Sequence, residues 1–222
     1  MIDVSGLTRS FGSKKVLDHV SLKIEKNEIC ALVGRNGAGK STFINCLLGL
    51  APAQSGSIAI NGKEQAKTKS WKNEISYLPE KFMLYPSLTG YENMKFFAQS
   101  GKGKADKERI KEILTSVGLW KDRDLPVKSY SKGMLQRLGL AVTLYPDCSI
   151  IILDEPTSGI DPIGRQEILK VLKELKNKTI LLSSHHLDEI QQICSTVAFL
   201  EEGKMTKYKV ESFLIQQRLG GF

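Results

Sequence analysis

Nowhere in the sequence do the roughly eighteen apolar residues needed for a membrane-spanning helix run together. The densest run, "SIIIL" at 149–153, has the length of a buried strand. The first residues, "MIDVSGLTRSF", lack a basic head followed by an apolar stretch, so no secretory signal is expected. Cysteine is scarce: Cys30, Cys46, Cys148 and Cys194 lie far apart, outside any CxxC pair and mostly inside apolar runs. That spacing argues against a disulfide framework and predicts reduced core residues in a cytoplasmic protein. No internal repeat or low-complexity segment is present. Charge is only mildly one-sided, with 32 Lys and Arg against 24 Asp and Glu, a net +8. Such an excess suits a nucleotide, a nucleic acid or an anionic membrane equally and selects none of them.

What is present is an ordinary globular composition, 41% apolar and 25% charged, over 222 residues. That length allows one substantial core with an inserted lobe. Strand-like runs fall at 15–24, 28–34, 56–60, 74–78, 149–155, 178–184 and 196–205, with helical patterns at 40–50, 165–176 and 186–194. "EICALVG" and "SIIILDE" are apolar nearly throughout, as parallel strands covered on both faces must be. The chain therefore reads as α/β. Residues 84 to 144 carry helical patterns and no convincing strand, which predicts a helical lobe between the strands ending near Pro79 and beginning at Ser149. "SGKGKADK" (100–107) reads as an exposed loop with solvated lysines.

"GRNGAGKS", Gly34 to Ser41, fits G-x-x-x-x-G-K-[ST] between an apolar strand and a helix. Three glycines permit a tight loop whose N–H groups point at phosphates. Lys40 would reach the β- and γ-phosphates, and the Ser41 hydroxyl can ligate Mg²⁺. A second element supports this reading. "SIIILDEP" ends a buried strand in Asp154 and Glu155, the first suited to hold Mg²⁺ through its water shell, the second to orient and deprotonate an attacking water. A guanine-reading N-K-x-D is absent; its nearest match, "NKTI" at 177–180, has no aspartate. ATP is therefore the expected nucleotide. "KSYSKGMLQRLGLA" (128–141) adds a second helix start, with Ser129 or Ser131 as cap and N–H groups open to an anion, although the chain has no second cradle.

With these residues in place, the chain resembles the ATP-binding subunit of an ABC transporter over nearly its whole length. The resemblance rests on Gly34–Thr42 (including Asn36, Gly37, Ala38 and Gly39) as Walker A and Ile150–Glu155 as Walker B. It rests further on "YSKGM", Tyr130 to Met134, as the signature, "SGID", Ser158 to Asp161, as the D-loop, and His185 as the switch histidine. It implies a P-loop NTPase (RecA-like) core of mostly parallel sheet, at about 1–83 and 145–222, with an N-terminal antiparallel β portion and a helical signature subdomain at about 84–144. It also implies a Mg²⁺-dependent ATPase paired head to tail with a second copy of itself. Ser131, Gly133 and Met134 would then close over the partner's ATP, which gives the second helix start its use. The wording is similar to the exporter branch, whose ATPase lies on the inner face of the cell membrane beneath a separate membrane permease. No nucleic acid is expected.

Glu80 stands where the family has a glutamine, and Lys132 replaces the first signature glycine. A carboxylate at 80 could still reach Mg²⁺. Phe11 is placed for adenine stacking by the resemblance, while its own neighbourhood, "SFGSKK", fits sheet packing as well. "KFMLYPSLTGYE" (81–92) reads either as lobe core or as a groove for a short helix of the membrane partner. Two rival functions remain open on the residues alone: a soluble ABC-type ATPase acting on a macromolecular complex, and a subunit that holds ATP without turnover.

Overall fold

Two runs of five residues, Ile150–Asp154 and Thr179–Ser183, are buried along their whole length and lie side by side inside the larger of two sheets. The computed structural model describes residues 1–100 and 104–218. The first half of the chain runs β1 (Ile2–Phe11), β2 (Lys14–Ile24), β3 (Ile29–Val33), α1 (Lys40–Leu47), β4 (Ser55–Ile60), β5 (Lys63–Glu64), β6 (Ile75–Leu78) and α2 (Gly90–Ser100). It continues through α3 (Lys107–Ser116), α4 (Lys132–Leu144), β7 (Ile150–Asp154), α5 (Pro162–Glu174), β8 (Thr179–Ser183), α6 (Leu187–Ile193), β9 (Thr196–Glu201), β10 (Lys204–Lys209) and α7 (Val210–Arg218).

The larger sheet has the order β10-β9-β3-β8-β7-β6, parallel except for the antiparallel edge strand β10. The smaller sheet, β2-β1-β4-β5, is antiparallel throughout. Alternate residues of one strand serve two cores. Ile150 and Ile152 join the cluster shared with α1 and the smaller sheet, whereas Ile151 and Leu153 join the cluster shared with α2–α5. A parallel strand covered on both faces needs this continuous apolarity.

The expected strands are in place with one division. The run 196–205 is a hairpin, β9 and β10, turning at Glu202 and Gly203, both with positive φ (46° and 76°). Two successive left-handed residues match the twist of the flanking strands. β1 is an additional strand, outside the strand-like runs of the sequence. Between β6 and β7 lie α2, α3 and α4. Local chemistry starts each of them. Thr89 and Glu92 exchange hydrogen bonds with each other's N–H groups (3.1 and 2.8 Å), a capping box for α2. Asp106 accepts from the N–H groups of Glu108 and Arg109 at the start of α3. Of the two candidate serines, Ser131 caps α4, accepting from Met134 N–H at 3.2 Å, while Ser129 bonds back to the Pro126 carbonyl. The expected loop at 100–107 lies partly outside the described residues; Lys104 within it is exposed.

All four cysteines are free. Burial pushes every thiol up, Cys30 to about 11, so none is poised as a nucleophile.

Candidate nucleotide site

The loop between β3 and α1 is shaped by glycines, two of which leave little room for a side chain. A Cβ on Gly34 would stand 2.4 Å from the Leu200 carbonyl oxygen. Gly39 caps α1 at φ 110°, and a Cβ there would lie 2.8 Å from Val16 Cγ1. The chain can thus bend tightly over the strand ends and leave the first N–H groups of α1 facing outward. The Lys40 ammonium lies back along the loop, donating to the Gly34 carbonyl at 2.7 Å and the Arg35 carbonyl at 3.5 Å.

This loop borders a cavity of about 750 Å³ at the carboxyl ends of the parallel strands. Of the residues singled out from the sequence, Phe11, Gly34, Asn36, Gly37, Gly39, Lys40, Ser41, Thr42, Glu80, Asp154, Glu155 and His185 all line it. Ala38 lies behind, on an adjoining cavity with Lys14 and Lys15. Arg35 and Ser158, which lie within the Walker A and D-loop stretches, also line the main cavity, and so does Val16, which sits inside β2 where no motif signals it. The Phe11 ring is 53% exposed, with the Arg9 guanidinium 4.9 Å from its centroid. Phe11 thus ends a paired strand with about half of its surface open beside the cavity.

The acids at the end of β7 differ in setting. Asp154 is 8% exposed, and its Oδ1 accepts from the Ser183 hydroxyl at 2.7 Å. The same hydroxyl accepts the Glu155 N–H at 2.8 Å, so one serine of β8 orients both residues. Glu155 itself adopts φ 49°, a conformation costing a non-glycine residue about 1–3 kcal/mol. That twist turns its carboxylate toward His185, whose Nδ1 is 2.9 Å from Oε2. Burial, with the Asp154 carboxylate nearby, pushes the Tyr77 hydroxyl up to about 12, so it stays protonated beside that acid.

Ser131, Gly133, Met134 and Asp161 do not line this cavity. Gly133 is buried against the segment before α5, where a Cβ would meet Ile160 Cγ2 at 3.5 Å. Lys132 lies over the neighbouring Gly159. Asp161 precedes Pro162 at the start of α5 without capping it through its side chain. Within "KFMLYPSLTGYE" the two readings divide by residue. Phe82, Leu84 and Tyr91 pack into the helical cluster, whereas Met83 is 89% exposed and borders a second cavity of about 480 Å³ with Leu84, Tyr130 and Leu135.

Parallel strands that end at a glycine-rich loop opening a helix, facing paired acids on a nearby strand, make this a P-loop nucleoside-triphosphatase. Residues 17–158 match the family described as ABC transporter. The chain belongs to that family, as one of its ATP-binding, ATP-hydrolysing subunits. It is 38% identical over 207 residues to the lantibiotic transport ATP-binding protein SrtF of Streptococcus pyogenes, covering 92% of this chain and 89% of the relative. It is 39% identical over 209 residues to the bacitracin transport ATP-binding protein BcrA of Bacillus licheniformis, covering 92% and 68% respectively. A solved ATP-binding subunit of an ABC transporter superposes with a TM-score of 0.84 at 29% identity, covering 99% of this chain and 93% of that one.

Proposed function

We propose that this subunit hydrolyses MgATP in a head-to-tail homodimer and drives export through a separate membrane permease. The observation that carries the reading is the division of the functional residues. The cradle and the acids share one cavity, while Ser131, Gly133 and Met134 lie elsewhere in the same chain. A second copy brings that capped helix start over the phosphates, where its free N–H groups and partial positive charge are useful. Among the described residues no helix is long and apolar enough to cross a membrane, so transport needs a membrane-spanning partner. The surface around Met83 supports its docking, and attachment there makes the subunit peripheral on the cytoplasmic face. Export is supported by the relatives named for lantibiotic and bacitracin transport.

Within the site, Phe11 stacks on adenine, the Gly34–Thr42 loop and Lys40 hold the phosphates, and Glu155 accepts a proton from the attacking water while His185 positions it. Asp161 lies at the dimer seam. Among the described residues no three His, Cys, Asp or Glu side chains form a self-contained metal site. Ser41, Asp154 and Glu80 instead border the phosphate cavity, a donor set suited to a cation that arrives with its nucleotide. Mg²⁺ held there would neutralise phosphate charge.

Mixing two inactive variants tests the shared site. Ser131→Arg and Glu155→Gln subunits, combined, form heterodimers with one site carrying both lesions and one carrying neither. Recovered ATPase activity is expected. Cysteines at Asn36 and Ser131, in a background lacking the native four, should cross-link chain to chain with ATP bound; a cross-link formed only within one chain rejects the head-to-tail model.

A further inference from the structure

Glu189, on α6, has none of its surface exposed. Glutamate is almost never fully buried unless it is paired, and its partners here come from three separate segments. Oε2 accepts hydrogen bonds from the Thr157 and Ser184 hydroxyls, each at 2.9 Å. Oε1 stands 3.2 Å from Arg165 Nε, close enough to attract but off the line of a hydrogen bond. Thr157 lies in the turn after β7, two residues beyond Glu155. Ser184 directly precedes His185, and its hydroxyl also accepts the His186 N–H at 3.1 Å. The backbone on both sides of His185 is thereby tied to one carboxylate. Arg165 sits in the first turns of α5, four residues past Asp161.

A separate tie joins the same two segments through Ser183, which accepts the Glu155 N–H and donates to Asp154. The 2.9 Å contact between Glu155 and His185 is suspended between these two ties. Apolar side chains replacing Glu189 together with its partners Thr157, Ser184 and Arg165 would fill the same space without the cost of desolvating charges. Stability alone therefore does not account for an acid at this position, whereas fixing two loops relative to each other does.

We infer that Glu189 is a positioning residue for hydrolysis. It locks the loop carrying His185 against the turn carrying Glu155, and through Arg165 it links both to the segment that follows Asp161. The inference rests on the reading that Glu155 and His185 are the reacting pair.

Steady-state ATPase kinetics of the full chain test it, using Glu189→Gln and Thr157→Val alone and each combined with His185→Ala. Glutamine retains an acceptor for the hydroxyls but turns a donor toward Arg165, and valine removes one hydroxyl at nearly constant shape. Both should lower kcat about tenfold while the KM for ATP stays within about twofold, since loosened geometry penalises the chemical step rather than binding. In the His185→Ala background the same changes should cost less than about twofold, because the side chain they position is gone. Unchanged kcat in both variants, or an equal loss with and without His185, overturns the inference. Should Glu189→Gln not fold, Thr157→Val and Ser184→Ala carry the same comparison. Failure of the underlying reading is distinct: Glu155→Gln would then keep full turnover whatever happens at 189.

Discussion

His185 Nδ1 stands 2.9 Å from Glu155 Oε2, across two strand ends separated by thirty residues of sequence. The two side chains are unequally placed. Glu155 is 16% exposed and held at a left-handed backbone position, whereas His185 is 59% exposed and faces the cavity. A sheltered acid with an exposed partner suits a base whose proton is taken from a water lying between loop and strand ends. Glu155→Gln should bind ATP with affinity close to that of the native chain and lose about 10²–10⁴ in kcat. His185→Ala should lose about a hundredfold, again in kcat. Nucleotide-binding titrations beside single-turnover hydrolysis separate these from a binding defect; native turnover in Glu155→Gln removes it as the base.

The loop's geometry makes a different prediction about Gly39. Alanine there must adopt φ 110° and push Val16 aside. Gly39→Ala should lower the melting temperature by roughly 5 °C, taking about 1–3 kcal/mol of strain, and weaken ATP binding with it. Gly12, at φ 58° with nothing within 4 Å of where a Cβ would stand, provides the control. Gly12→Asn keeps a left-handed-tolerant residue in open space and should melt within about a degree of native. Equal melting of the two variants would show that the Val16 contact yields freely.

Acid stability should depend on Asp18. Hydrogen bonds from Lys204, Lys15 and His19 hold its carboxyl well below the ordinary 3.8, and Lys204 ties β2 to the β9–β10 hairpin. A depressed carboxylate contributes stability above its unfolded pKa and loses it as pH falls through the folded value. Asp18→Asn should therefore melt lower than the native chain at pH 7, by a small amount because the group is exposed. The gap should close as pH drops below 3.8. A gap that stays constant from neutral pH to well below 3.8 would assign the difference to packing instead.

Much of the cavity could be read from the residues because its parts are local. The phosphate loop needs glycines at fixed spacing, and β7 needs an unbroken apolar run, so both are visible within a short window of sequence. β1 is hidden in the sequence because Gly6 (φ 60°) breaks its alternation and its pairing with β2 shifts register between Val4 and Leu7. The β9–β10 turn is signalled by Gly203 in "EEGK", yet a continuous apolar-to-basic run conceals it. Glu189 carries no local mark at all: an acid in the first turn of a short helix reads as a solvated, dipole-favoured residue. Its burial arises only when α5, α6 and two strand ends meet.

Glu80 lines the main cavity with Asp154 and Glu155, so three carboxylates border the space where phosphates would sit. Like charges at short range repel strongly where water is excluded, which predicts that metal-free ATP binds weakly here. A divalent cation reverses that balance by giving the Glu80 oxygen a partner. Glu80→Gln should accordingly act in opposite directions on two measurements. With EDTA present, ATP affinity should rise about threefold or more as one negative charge is removed. With Mg²⁺ present, the metal concentration for half-maximal ATPase activity should rise by a similar factor, because an amide oxygen is the weaker ligand for a hard cation. Isothermal titration supplies the first value and a Mg²⁺ titration of turnover the second. If neither value moves, the Glu80 carboxylate does not act on phosphate or metal. If affinity rises while the metal dependence is unchanged, Glu80 acts as a charge alone and the metal is held by Ser41 and Asp154 without it.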